Sequence, residues 1–158
     1  MNSDKLNEDN RLDLIIEAVL YCKRVKKMGM PSSSYSKALR EPIYFLWERR
    51  KGGNKYDLAE YRSKKSIGVS RGKNLLVRDH SIPFSYIQNM LLELREVNKI
   101  SVRNILEQNL CACIITREED RVLSSKGLGK KMPKNWDGKD KMARYKFVNI
   151  VFEKNHSY

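Results

Sequence analysis

An acid and an imidazole stand side by side at Asp79-His80, and the only other histidine lies within the last three residues. Histidine accepts a proton near neutral pH, and a carboxylate can orient it or hold a divalent metal ion. His80 could therefore act as a general base that activates water or a 2′-hydroxyl, with Asp79 as a metal ligand. A hydrogen bond from His80 to a loop carbonyl and a capping role for Asp79 would explain the same pair without catalysis.

Further acids stand at Glu118-Glu119-Asp120, directly after the apolar stretch 111–115. If this stretch forms a strand parallel to the one that ends at Asp79, the ends of the two strands meet. Glu118 and Glu119 would then join His80 as catalytic residues, with Glu118 as a second metal ligand. Thr116 also predicts a capping box with Glu119 at the third helical position, which is a structural reason for that acid.

Basic residues flank this acidic centre in the sequence. Residues 23–78 hold 16 Lys and Arg against four acids, and residues 126–146 hold eight against two. Residues 79–121 hold seven acids and five bases. With a net charge of +13, the natural partner is a polyanion, and cations around a few carboxylates suit a nucleic-acid enzyme. An ordinary basic surface is the alternative. The predicted nucleic-acid contacts are Lys26, Lys27, Arg49, Arg50, Arg62, Lys64, Lys65, Arg71, Lys73, Lys130 and Lys131.

Length and composition predict one α+β domain, mainly helical with a small central sheet. At 158 residues and 41% apolar content, the chain is long enough for one hydrophobic core. We expect a basic helical half over about 1–74, a strand-containing half over about 75–152, and a short polar tail over 153–158. The three cysteines lack Cys-x-x-Cys spacing, the sequence starts with polar residues, and it has no long apolar run. These features predict a cytoplasmic protein without a membrane partner.

The strand before Asp79-His80 decides whether the pair can cooperate. Neighbouring side chains in a strand point to opposite faces, so both can face one cleft only if the strand has already ended. Ser81 and Pro83 would mark such a bend, and a helix over about 84–97 would follow.

Other elements follow from apolar spacing and from capping residues. A first helix, capped by Ser3 or Asp4, should run to about Met28, and a second should cover 41–50 with Pro42 in its first turn. The remaining predictions are a basic loop or hairpin over 55–74, a short helix capped by Ser101, a central strand over 111–115 and a last strand over 147–152.

Asp79-His80-Ser81-Ile82-Pro83 resembles the Asp-His-x-x-Pro opening of the HNH, or ββα-metal, nucleases, and Asn109-Leu110 matches that family's Asn-Leu pair. The resemblance implies that His80 is the general base and that Asp79 is a ligand of Mg²⁺ or Mn²⁺, or supports one. No histidine lies between 81 and 155, so Glu118 or Glu119 would have to replace the family's later histidine ligand. The common Cys-x-x-Cys pairs are missing too.

The sequence therefore predicts a nucleic-acid-binding protein, and a nuclease that uses His80 on a phosphodiester. Two alternatives stay open. One is a non-catalytic DNA- or RNA-binding regulator that binds through its basic N-terminal half. The other is an interaction protein that blocks or joins a nucleic-acid enzyme. Neither the choice between DNA and RNA nor the oligomeric state follows from the residues.

Overall fold

The computed structural model describes residues 6–156. It contains more helix than strand and has the predicted α+β class, with one small mixed sheet. The described residues form two compact units. Unit 1 comprises residues 6–52 and 86–108, and unit 2 comprises 53–85 and 109–156. The predicted domain organisation, with halves that meet at about residue 74, stays a prediction. No helix within residues 6–156 is long and apolar enough to cross a membrane.

The first helix, α1 (Glu8–Lys27), ends one residue before the predicted end. Its N-cap is Asn7, whose side chain accepts a hydrogen bond from the Asn10 amide at 2.8 Å. The predicted caps Ser3 and Asp4 lie outside the described residues. Acids occupy the first turn of α1 and bases the last, which stabilises the helix through its dipole.

The second helix was predicted to start too late. Helix α2 (Ser36–Pro42) begins before Glu41 and contains Pro42 at its end, and a π-helix continues over Ile43–Glu48. Proline has no amide hydrogen, so the α-helical bonding pattern is interrupted there and a wider turn follows. Trp47 is buried, whereas Phe45 is 52% exposed.

Two more helices contribute to unit 1, α3 (Phe84–Glu93) and α4 (Lys99–Asn109). Helix α3 is shorter than predicted. Helix α4 starts before Ser101, which is not its cap. The Asn98 side chain accepts from the Ser101 amide at 2.9 Å, and Ser101 Oγ accepts from the Asn98 amide at 3.1 Å.

Unit 2 contains a four-stranded sheet of order β2-β3-β1-β4. Its strands are β1 (Tyr61–Ser63), β2 (Leu76–His80), β3 (Ala112–Thr116) and β4 (Phe152–Lys154). Strand β3 lies between β2, which is antiparallel to it, and β1, which is parallel. The predicted central strand is therefore confirmed.

The prediction from the sequence missed β1 and placed the last strand too early in the chain. Strand β1 has only three residues, two of them polar, and it lies in the segment read as a basic loop or hairpin. The last strand begins at Phe152, so residues 153 and 154 belong to the sheet and not to a tail, and α6 (Ala143–Phe147) precedes it. Short strands like these are held by backbone bonds to their neighbours, which leave no apolar pattern in the sequence.

Apolar side chains pack on both faces of the sheet. Cys113 and Ile115 of β3 point to the face covered by α5 (Arg117–Ser125) and α6, where Leu123 and Tyr145 are buried. Ala112 and Ile114, the alternate residues of β3, point to the other face together with Leu76 and Ala59. Packing on both faces explains why β3 reads as a continuous apolar run.

Candidate functional site

Asp79 points to the face of the sheet that α6 covers. Its Oδ2 atom accepts a hydrogen bond from Arg144 Nη2 at 2.5 Å and another from the Tyr145 hydroxyl at 2.8 Å. The Arg144 side chain is 1% exposed and that of Asp79 is 20% exposed. This carboxylate oxygen is therefore engaged by a buried cation and a buried phenol of the same unit.

Arg144 binds much more than Asp79. Its Nε donates to the Ser81 carbonyl at 3.0 Å, Nη1 to the Leu128 carbonyl at 2.6 Å, and Nη2 also to the His80 carbonyl at 2.5 Å. The planar guanidinium thus joins the end of β2 to the loop after α5. Arg144 was one of eight bases in its segment, and no sequence signal separated it from the other seven.

The thiols and the phenol near Asp79 are buried. Cys111 and Cys113 are free cysteines of the core, with sulfur atoms 4.0 Å apart. Burial, followed by the charges of Cys113 and Asp79, raises the pKa of Tyr145 well above its usual 10.0. Tyr145 therefore keeps its proton and donates a hydrogen bond to Asp79.

His80 points to the opposite face from Asp79, because β2 continues through His80 without a bend. The His80 Nε2 atom lies 3.5 Å from Arg78 Nη1, two residues earlier on the same strand. The strand pairing also continues past His80, since the Ser81 amide donates to the Cys111 carbonyl at 2.9 Å. The expectation that Asp79 and His80 share one cleft is wrong.

The acids of α5 lie at the other end of the strand pair. Strands β2 and β3 are antiparallel, with Leu76 opposite Thr116 and Asp79 opposite Cys113. Helix α5 follows Thr116, three residues along β3 from Cys113, which is roughly 10 Å in a strand. The expected convergence of the two acidic groups required parallel strands and is wrong for this antiparallel pair.

Glu119 is a structural residue, as the capping box predicts. It accepts a hydrogen bond from the Thr116 amide at 2.9 Å, and Thr116 Oγ1 accepts from the Glu119 amide at 3.1 Å. The Ser63 hydroxyl of β1 also donates to Glu119 at 2.6 Å, and Glu119 is 5% exposed. Glu118, in contrast, is exposed to solvent.

The residues at these positions do not fit the Mg²⁺ or Mn²⁺ centre that the HNH resemblance implies. Within residues 6–156, no group of three or more His, Cys, Asp or Glu side chains is placed to hold a metal ion. Asp79 is engaged by Arg144, and Glu118 follows the opposite end of the strand pair. No reaction step is therefore assigned to a metal, and a divalent cofactor stays a prediction.

The order of strands and helices along the chain also bears on the resemblance to the HNH nucleases. Strands β2 and β3 are antiparallel and α5 follows them, but α3 and α4 are inserted between the two strands. Asn109 is the last residue of α4, and Leu110 is 8% exposed. This order of strands and helix does not by itself give His80 or Asp79 a catalytic role.

A basic cleft opens at the first turn of α5, and we call it the Lys73 cleft. It has a volume of about 760 Å³ and is lined by the cations Lys65, Lys73, Arg117 and Arg121. Glu118 is the one acid among the described residues that line it. Lys65 and Lys73 were predicted to contact nucleic acid. Arg117 and Arg121 were missed, because only the fold brings α5 beside the loop before β2.

Backbone geometry and one arginine shape this cleft. Lys73 and Asn74 adopt left-handed conformations, with φ of 62° and 57°. The Arg117 guanidinium donates to the Asn74 side chain and lies 3.6 Å from Asp120. In the part of the chain that the structure describes, no ion pair joins Lys65, Lys73 or Arg121 to a carboxylate. Three of the four cations are thus available to an anionic ligand.

A second cleft, which we call the Trp136 cleft, begins directly after α5. Its volume is about 890 Å³, and it is lined by four lysines and two aromatic side chains, Trp136 and Phe147. Lys131, a predicted nucleic-acid contact, is one of these lysines, whereas Lys130 does not line the cleft. Helix α5 has nine residues, so it separates the starts of the two clefts by roughly 13 Å.

The other predicted contacts occupy different positions. Lys26 and Lys27 are exposed at the end of α1 in unit 1. Arg49 and Arg50 also belong to unit 1, where Arg50 lies 3.7 Å from Glu8 and 4.1 Å from the Trp47 ring centre.

Within unit 2, the remaining predicted cations differ in what they contact. Arg62 donates to the Ser66 carbonyl at 3.0 Å, and Arg71 pairs with Asp57 at 2.7 Å. Lys64 is exposed beside Lys65 but does not line the Lys73 cleft. Of the predicted cations of unit 2, Lys65 and Lys73 therefore line the Lys73 cleft.

Comparison of the chain with family models, with curated proteins and with solved structures finds no match.

Proposed function

We propose that the protein binds nucleic acid and that the Lys73 cleft holds backbone phosphates. The observation that carries the proposal is the grouping of Lys65, Lys73, Arg117 and Arg121 around one cleft, where Glu118 is the one acid among the described lining residues. These cations come from two separate stretches of sequence, so the charge is concentrated by the fold of unit 2. Lysine and arginine that neutralise phosphates release counterions, which drives binding to a nucleic-acid backbone.

The surroundings of the predicted catalytic residues support binding of nucleic acid in preference to its cleavage. Asp79 is engaged by Arg144, and Glu119 closes the capping box, so two of the four predicted catalytic residues have structural roles. His80 lies on the opposite face from Asp79, beside Arg78. Non-catalytic binding therefore accounts for more of the arrangement, and cleavage through His80 stays a prediction.

The test measures fluorescence anisotropy of labelled single-stranded and duplex DNA and RNA between about 50 and 200 mM salt. One variant combines Lys65→Ala and Lys73→Ala. The matched control combines Lys64→Ala and Lys154→Ala, which removes the same charge from exposed positions of unit 2 outside the cleft. We expect the cleft variant to lose about tenfold in affinity and to reduce the salt slope by about 1 to 2.

Three other outcomes have distinct meanings. Equal losses in the cleft and control variants would assign binding to overall charge and remove the Lys73 cleft from the proposal. No binding to any nucleic acid at moderate salt would reject the function and favour the interaction-protein alternative. Unequal affinity for DNA and RNA would identify the target class.

Cleavage is tested separately with the same labelled strands. Wild type and His80→Ala are incubated with Mg²⁺, with Mn²⁺ and with neither ion. Activity that disappears in His80→Ala would support the nuclease prediction. Equal activity in both proteins would exclude His80 from the mechanism, and binding without cleavage would support the non-catalytic function.

A further inference from the structure

We propose that the Trp136 cleft binds an unpaired nucleobase, so that the nucleic acid is held as a single strand. This inference rests on the proposed function, because it identifies the form of nucleic acid that the protein takes. It concerns residues that are separate from the Lys73 cleft.

The cleft offers flat apolar surfaces of the kind on which bases stack. Phe147 is 62% exposed at the end of α6. The Trp136 indole nitrogen donates to the Asp140 carbonyl at 2.8 Å, and this bond fixes the ring. Leu128 and Met132, which are 6% and 7% exposed, supply further apolar lining. Stacking on aromatic side chains tolerates any base, since every base has a π-face.

Positive charge surrounds these apolar surfaces. Four lysines line the cleft, and three of them, Lys126, Lys131 and Lys134, are exposed residues of the segment between α5 and α6. The fourth, Lys146, pairs with Asp140 at 2.7 Å. Lysines beside aromatic rings can hold the phosphates that flank a stacked base.

The two acids among the described residues that line the cleft accept hydrogen bonds from residues 139–146. Asp137 Oδ1 accepts from the Lys139 amide at 2.8 Å and from the Asp140 amide at 2.9 Å. Asp140 accepts from the Met142 amide at 3.0 Å in addition to its bond with Lys146. Both carboxylates thus have hydrogen-bonding partners, and the cleft as a whole has more positive than negative side chains.

Charge and shape together select the occupant. An apolar peptide would not need the lysines, and a duplex keeps the faces of its bases stacked inside. An unpaired nucleotide matches both features, because it carries an aromatic base and a negative phosphate. A free nucleotide has the same chemistry, so the experiment must separate it from a strand.

The test compares a labelled 12-residue oligothymidylate with an abasic strand of the same length and charge. Wild type is expected to prefer the strand with bases by at least about fivefold, the lower range for one stacked base. Phe147→Ala should abolish this preference while retaining affinity for the abasic strand. Phe45→Ala is the matched control, because Phe45 is also exposed, at 52%, and does not line the cleft. Thermal unfolding confirms that both variants are folded.

A second pair of variants tests the positive residues. Lys131→Ala should weaken binding of oligothymidylate by about threefold or more, whereas Lys139→Ala, at an exposed position outside the cleft lining, should leave it nearly unchanged. Equal effects of these two substitutions would remove the lysines from the proposed site.

The outcomes separate this inference from the proposed function. If wild type binds both strands equally, or if Phe147→Ala keeps the preference, the base site is rejected and nucleic-acid binding still stands. If neither strand binds, the proposed function itself fails. If thymidine monophosphate competes as well as the oligonucleotide, the ligand is a free nucleotide and the single-strand proposal is rejected.

Discussion

The two ends of the β2–β3 strand pair differ in the surroundings of their charged side chains. At one end, Asp79 is engaged by Arg144, whose side chain is 1% exposed. At the other end, Lys73 lines a basic cleft and has no ion-pair partner among residues 6–156. The acid singled out by its resemblance to a catalytic motif thus holds the fold together. Lys73, which no motif singled out, is exposed to solvent.

Solvation explains this difference. Moving a charged side chain out of water costs on the order of several kcal/mol, as estimated for buried ions, unless an opposite charge and hydrogen bonds replace the lost hydration. Arg144 meets that condition with carbonyls and a carboxylate, which leaves it unable to bind a ligand. Exposed lysines keep their hydration and exchange it readily for phosphate.

Replacing Arg144 should have the largest effect on stability. Arg144→Met leaves Asp79 without its counter-charge and four backbone carbonyls without their donor, so we expect the free energy of unfolding to fall by about 3–5 kcal/mol. Urea unfolding followed by circular dichroism measures the change. Lys146→Met, on the same helix but exposed, serves as the control and should change little. A small loss in both variants would show that the Asp79 end is not a structural anchor.

Removing the capping acid should have the next largest effect. Glu119→Ala takes the acceptor from the Thr116 amide and the Ser63 hydroxyl, and a loss of about 1–3 kcal/mol is expected. Glu118→Ala removes an equal charge from an exposed neighbour and should be nearly silent in the same unfolding experiment. If the two variants were equally stable, the capping box would contribute nothing.

Tyr145→Phe should cost about 1 kcal/mol near neutral pH, because it removes the hydroxyl that donates to Asp79. Burial raises the pKa of Tyr145, so the folded protein keeps a proton that the unfolded chain releases near pH 10. The stabilising contribution of the hydroxyl is therefore complete below about pH 10 and is lost as the pH rises further.

Unfolding at several pH values tests the sign of this effect. The difference in stability between wild type and Tyr145→Phe should narrow above about pH 10, since phenylalanine has no proton to lose. A constant difference across the alkaline range would contradict the raised pKa of Tyr145.

Substitutions in the Lys73 cleft should have the smallest effect on stability. Lys65→Ala and Lys73→Ala remove exposed side chains, so the urea midpoint should stay within experimental error of wild type. The same variants should lose affinity for nucleic acid. Asp79→Asn should show the reverse pattern, with lower stability and unchanged affinity. If the cleft variants unfolded more easily, their loss of binding could not be assigned to contacts with phosphate.

Local features were predicted well because their causes lie within a few residues. Thr116 and Glu119 form the expected capping box, and α1 ends within one residue of its predicted end. The run 111–115 was assigned to a central strand from its apolar composition, and β3 confirms it. In each case the determining contacts are close in the chain or follow from hydrophobic burial.

Non-local features could not be predicted in the same way. The expected convergence of Asp79 with Glu118 depended on strand direction, which the sequence does not specify. Strand β1 has three residues and is recognisable only by its pairing with β3 and β4. Asp79 accepts a hydrogen bond from Arg144, which lies 65 residues later in the chain. The sequence does not distinguish Arg144 from the other basic residues of its segment.

The sequence alone determined the α+β class, the excess of basic residues, the capping of α5 and the central place of β3. Only the tertiary structure decided that β2 and β3 are antiparallel, that Asp79 and His80 point to opposite faces, and that Arg144 engages Asp79. Helix caps and apolar runs are governed by neighbours in the chain. The surroundings of a charged side chain are governed by which distant segments pack beside it, and this decides between a structural ion pair and an open basic cleft.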